Sequence, residues 1–188
     1  MRRVVFMDTS LPEIPAPHSV LAKLMRGEPK TLQLFKKINK IISFLYQNYI
    51  GVFCGFGYIF VLIETKGRKT GKKRVTPVEY HRLYKNKITV ISSRGSKADW
   101  VKNIKANKCI VHLQVGFKKC KAKALFIDDK SMKQELLKSY CVEYPYASKR
   151  LLGINAKKDK NILDSEAFRA LADNLEFIAF EIIDTKDN

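Results

Sequence analysis

Residues 61–84 read VLIETKGRKTGKKRVTPVEYHRLY, and this stretch sets the fold. An apolar run, VLIET, climbs into KGRKTGKKR and returns through VTPVEY. Six of the nine residues from Lys66 to Arg74 are cations. Gly67 and Gly71 punctuate the turn, and a two-glycine polar turn between β-rich runs predicts a hairpin. Like charges crowded on one turn repel, and an anion held between them relieves the repulsion. Pro77 removes one ladder donor, so it marks an edge or a bulge. There a flat ring can lie against the backbone.

The chain on either side supplies the rest of a β-rich domain. Upstream, Leu34, Ile38, Ile41, Leu45 and Tyr49 share one helical face, with Phe35, Ile42 and Tyr46 beside it. This predicts an amphipathic helix of about four turns from residue 31. Residues 1–30 carry Pro12, Pro15, Pro17 and Pro29 and form an irregular lead-in; residues 31–188 form one domain. Residues 41–63 hold no formal charge, a length that can span a membrane. Gly51, Gly55 and Gly57, with the polar pair Gln47 and Asn48, favour a helix, a glycine loop and a buried strand instead. The basic flank of the helix suits a membrane surface, so the expected location is the cytoplasm, with possible contact to that surface. Downstream, ITVISS is a strand and SSRGSKADWVKNIKAN is a strand end, a glycine loop and a helix start. CIVHLQV and CKAKALFI alternate as a hairpin, with His112 and Gln114 opposite Val111, Leu113 and Val115. Asp128 or Asp129 caps one helix, Asp164 or Ser165 another. LEFIAFEII is a last strand. The class is mainly β with helices (α+β), an antiparallel barrel with helical decoration.

Composition narrows the function. The net charge is +18, from 36 basic and 18 acidic residues, which favours an anionic partner. A nucleic-acid track would need exposed aromatic platforms interleaved with the cations, and none is evident. The cysteines Cys54, Cys109, Cys120 and Cys141 form no CxxC pair, and with no apolar leader in MRRVVFMDTSLPEIP they read as reduced thiols. His18, His81 and His112 lack partners at metal-ligand spacing. There is no P-loop, GxSxG, HExxH or paired carboxylate, so a bound cofactor would carry any chemistry.

The hairpin suits such a cofactor. Arg68 and Arg74 can clamp phosphate or carboxylate oxygens, Lys69, Lys72 and Lys73 add charge, and Thr70 adds a hydroxyl. The alternative is a solvated turn. Ser92, Ser93, Arg94 and Gly95 make a second wall, with a helix N-terminus behind them near Trp100. For Trp100 the alternative is core packing.

The two stretches LIETKGRKTGKKRVTPVEY and VISSRGSKADWVKNIKANKCIVHLQVG together resemble the deazaflavin-dependent nitroreductase family. The matching positions are Gly67, Arg68, Lys69, Thr70, Gly71, Arg74, Thr76, Pro77, Ser92, Gly95, Trp100, Asn103, Ala106 and Asn107. The resemblance covers about residues 58–127. It implies a split antiparallel β-barrel of the FMN-binding type that binds coenzyme F420, with FMN as the alternative cofactor. By resemblance Arg68, Lys69, Thr70, Lys73 and Arg74 hold the phosphate or oligoglutamate tail. Thr76, Pro77 and Val78 line the ring, with Ser92, Ser93, Arg94, Gly95 and Trp100 across from it. The implied reaction is hydride transfer from reduced F420 to a small electron-poor acceptor: a quinone, nitro compound or enone. Tyr140, Tyr144 and Tyr146 are candidates to cover the acceptor, or else are core aromatics. Glu79 stands where many relatives have an apolar or aromatic residue, which would alter acceptor choice. A non-catalytic cofactor carrier and a basic nucleic-acid module are the rival readings, and the protein is a monomer or a homodimer.

Overall fold

The computed structural model describes residues 28–53, 55, 59–85, 87–156 and 161–186. Most of the proline-rich lead-in lies outside the described residues, as do Cys54 and Gly57.

Helix α1, Pro29–Gln47, is followed by the single turn α2, Ile50–Phe53. Strands β1, Phe60–Lys66, and β2, Lys73–Tyr84, form the expected hairpin, in register from Phe60 opposite Glu79 to Lys66 opposite Lys73. Strand β3, Lys87–Ser92, leads into helix α3, Asp99–Ala106. Strands β4, Ile110–Val115, and β5, Lys118–Ile127, form the second hairpin. Helices α4, Lys130–Glu143, α5, Pro145–Leu151, and α6, Glu166–Asn174, precede the last strand, β6, Glu176–Lys186. The six strands close an antiparallel barrel in the order β1-β2-β3-β6-β5-β4.

Two cores flank this wall. Inside, Val61, Ile63, Val90, Val111, Leu113, Ala122, Ala124, Ile178 and Phe180 pack with Val101 and Ile104 of α3. Outside, Phe177 and Ala179 pack under Leu137, Tyr140, Phe168 and Leu171 of α4 and α6. Alternate residues of β6 thus enter different cores, which explains its unbroken apolar run. Both predicted caps form: Asp129 accepts from the Met132 N–H at 2.7 Å, and Ser165 from the Phe168 N–H at 3.2 Å.

Helix α1 corrects one expectation. Its inward face is Leu32, Phe35, Asn39, Ile42 and Tyr46, not the Leu34–Ile38–Ile41 stripe. Leu34, Ile41 and Phe44 are 56%, 59% and 63% exposed. The apolar arc of the helix is wider than one packing face, so periodicity alone does not choose which part of it turns inward. Polar bonds do: the buried Tyr46 hydroxyl accepts from the Gly116 N–H at 2.6 Å and donates to the Phe60 carbonyl at 3.0 Å. Gln114, on the outer face of β4 as expected, is buried there because α1 lies over it and Tyr46 O accepts its amide. Among the described residues no helix is long and apolar enough to cross a membrane.

Candidate functional site

The outer face of β2 forms one wall of a cavity of about 560 Å³. Thr76, Pro77, Val78, Glu79 and His81 come from β2, and Ser92, Ser93 and Arg94 from the end of β3. Trp100 sits at the start of α3, Phe35 and Lys36 on α1, and Leu137 and Tyr140 on α4. The volume is that of a ligand site of ordinary size. Pro77 faces Leu62 of β1, so its missing N–H interrupts the ladder at the cavity wall. Trp100 is shared between cavity and inner core.

Eight of the residues expected at a cofactor or acceptor site therefore line one cavity with Tyr140: Thr76, Pro77, Val78, Glu79, Ser92, Ser93, Arg94 and Trp100. The hairpin tip does not line it, and its cations divide into two groups. Arg68 is committed to α3. Its Nη2 lies 2.8 Å from Asp99 Oδ1, its Nη1 donates to Asn103 Oδ1 at 3.0 Å, and its backbone N–H donates to the same oxygen at 3.2 Å. The Arg68 hydrogen bond, with further help from Arg94 and Lys102, holds the Asp99 carboxyl below its usual range. Lys73 is paired with Glu64 across the hairpin. Among the described residues no carboxylate pairs with Lys69, Lys72, Arg74 or Arg94 within 4 Å. Thr70 caps its own turn, its hydroxyl 3.4 Å from the Lys72 N–H.

The second wall is built by packing. Ser92 is buried and donates to Gly95 O at 3.0 Å. Gly95 itself lies off the cavity: it has φ +52°, and a Cβ there would meet Asn174 O at 2.5 Å. Only glycine turns the chain so close to α6.

The aromatic expectation splits likewise. Tyr140 is buried and lines the cavity, whereas Tyr146 is 83% exposed and remote from it. Tyr144 stands behind His81, ring centroids 4.3 Å apart. Burial, and then the nearby Glu79 charge, push the Tyr140 phenol well up from its usual value, so it stays a neutral donor. Phe35, Lys36, Leu137 and His81 line the cavity without having been expected there, and His81 is the histidine among them. Searching for metal ligands set it aside, while its spacing two residues beyond Glu79 on one strand was the available signal.

A closed antiparallel barrel with a strand-and-proline wall, a roofing helix and unpaired cations nearby defines a cofactor-binding barrel of the flavin and deazaflavin type. The profile of the F420H(2)-dependent quinone reductase family matches residues 50–154, and the chain belongs to that family. It is an F420H2-dependent oxidoreductase, with F420 as its cofactor. Solved structures that resemble it include an F420-H2 dependent reductase (FDR-A), 24% identical, TM-score 0.40, covering 65% of this chain and 93% of that one. Another, described as a domain-swapped dimer, is 22% identical with TM-score 0.40 over 65% of this chain and 79% of its own. A conserved hypothetical protein of Mycobacterium tuberculosis is 12% identical, with TM-score 0.43 over 69% and 74%. No curated protein matches the chain.

Proposed function

We infer that the cavity between β2, α1 and α4 is where F420 and its acceptor meet, and that the acceptor is a quinone, nitro compound or enone. The observation that carries this is the placement of unpaired Arg94 and Lys36 on a cavity whose other wall is Thr76–Pro77–Val78. Thr76, Pro77 and Val78 would lie against the deazaflavin ring, with Ser93, Arg94 and Trp100 across from it. Arg74, Lys69 and Lys72 would meet the phosphate and oligoglutamate tail, since Arg68 and Lys73 already have internal partners. Reduced F420, when bound, supplies the hydride. The protein's share is to orient the ring, exclude water beneath α1 and balance charge.

Fluorescence titration with F420, with F420 lacking its oligoglutamate, and with FMN tests the reading. Full-length F420 should bind tightest, and removing the tail should weaken binding and reduce its salt dependence. Equal affinity for tailed and untailed cofactor would remove the hairpin cations from this role. Turnover of reduced F420 against a quinone, a nitroarene and an enone then orders the acceptor classes.

A second reading concerns the outer stripe of α1. Exposed Leu34, Ile38, Ile41 and Phe44, with Lys36, Lys37 and Lys40 nearby, support contact with an anionic membrane surface. Co-sedimentation with anionic but not neutral vesicles is the expected result, and equal recovery with both would argue against it.

A further inference from the structure

Adding a hydride to a quinone, or to a comparable acceptor, delivers both electrons of the reduction but only one of the two hydrogens. The acceptor then carries a negative charge on oxygen and must gain a proton. Of the side chains lining the cavity, His81 is the one of a type that changes charge between about pH 5 and 8. Tyr140 is held neutral by burial and Glu79.

We propose that His81, oriented by Glu79 and the rings of Tyr140 and Tyr144, is the proton donor to the reduced acceptor. The proposal rests on the cofactor and acceptor sharing this cavity. Pro77, Glu79 and His81 stand at alternate positions on one face of β2, about 7 Å apart in sequence order. The imidazole therefore shares a strand face with the ring wall. Two aromatic contacts fix its plane, at 4.9 Å to Tyr140 and 4.3 Å to Tyr144. The residue is 7% exposed, so the cavity is its main opening. Its Nε2 lies 3.4 Å from Glu79 Oε1. That separation is too long for a strong hydrogen bond, so Glu79 orients the N–H without consuming it. An acceptor oxygen can take the shorter bond.

The step balances. The reduced cofactor is oxidised by loss of a hydride, and the acceptor is reduced by gaining it. The Nε2–H bond of protonated His81 breaks and an O–H bond forms on the acceptor. The imidazole is left neutral beside the Glu79 carboxylate and recovers its proton from water. Glu79 is a positioning residue, acting through its contact with His81.

The test uses the full chain, reduced F420 and 2-methyl-1,4-naphthoquinone. Rates are followed over the histidine titration range, and the His81 Cε1–H signal is titrated by NMR over the same range. The groups facing the imidazole are Glu79 from β2, Tyr140 from α4 and Tyr144 at its end. In the wild type kcat should fall with rising pH along the His81 NMR curve. His81→Gln should lower kcat about 100-fold or more and abolish that limb, with F420 affinity unchanged. A His81→Gln enzyme that keeps both kcat and the limb overturns the proposal. Should His81→Gln fail to fold, Glu79→Gln decides: the kcat limb must move with the His81 titration, and a limb that stays while the titration moves refutes it. A wild type that does not bind F420 would instead overturn the cavity assignment itself, and the proton donor with it.

Discussion

Arg68 and Arg74 have the same chemistry and flank the same turn, yet Arg68 is bonded to Asp99 and Asn103 while no carboxylate among the described residues pairs with Arg74 within 4 Å. Replacing Arg68 by alanine removes the ion pair to Asp99 and the Nη1 bond to Asn103. The Asp99 side chain is 75% exposed, so that pair contributes about 0.2–1 kcal/mol after solvent screening. Asn103 is buried, and a charge-assisted bond to it contributes about 1.5 kcal/mol, the low end of the usual range. Its Oδ1 keeps the Arg68 backbone N–H, so no orphaned acceptor adds to the cost. The sum is about 2 kcal/mol, or roughly 4–8 °C in Tm for a domain of this size. Arg74→Ala should leave stability within about 0.5 kcal/mol and weaken F420 binding by about 1.5 kcal/mol or more, at least tenfold. Thermal unfolding by circular dichroism and F420 fluorescence titration on both variants separate the two roles. Acid adds a signature. Because the folded-state value of Asp99 is lowered, its contribution is fully present above the ordinary carboxylate value near 3.9 and is lost as pH falls through the lower folded value. The stability gap between wild type and Arg68→Ala should therefore hold at neutral pH and narrow only in strong acid, by the Asp99 share, while the share of the neutral Asn103 amide stays. If Arg68→Ala keeps its Tm but loses F420 as completely as Arg74→Ala, the clamp assignment is wrong and Arg68 is a ligand.

Two further expectations concern stability. Gly95→Ala meets both a positive φ and the Asn174 carbonyl, and should cost about 2 kcal/mol or more in urea unfolding; a loss below about 0.5 kcal/mol would mean that the loop shifts freely. Tyr46→Phe leaves the half-buried Gly116 N–H and Phe60 carbonyl without the Tyr46 hydroxyl and should cost about 1 kcal/mol or more, with an unchanged m-value.

The barrel was readable because its signals are local. Alternation in CKAKALFI, the glycines around GRKTG and the capping Asp129 and Ser165 before α4 and α6 each act over a few positions. The wall Thr76–Val78 was readable for the same reason, through Pro77 and the resemblance around it. What escaped depended on long-range pairing. Whether an arginine faces solvent or α3 turns on Asn103, 35 residues away. The inward face of α1 turns on a bond from Tyr46 to Gly116, 70 residues away. His81 gains its place only when α4 brings Tyr140 across to it. None of these partners leaves a periodic trace in the chain.

Strand β6 joins β3 to β5 and is the last of the described strands, with Lys87 bonded to Glu181 across 94 positions. Loops of that length close slowly, and their closure must precede the contacts that reward it. During synthesis β1–β5 thus wait as an open sheet with two unpaired edges, and the outer core lacks the floor that Phe177 and Ala179 provide. The barrel and the outer core become complete together, when one segment arrives. A chain stopped before residue 176 would expose edges ready to pair with other chains.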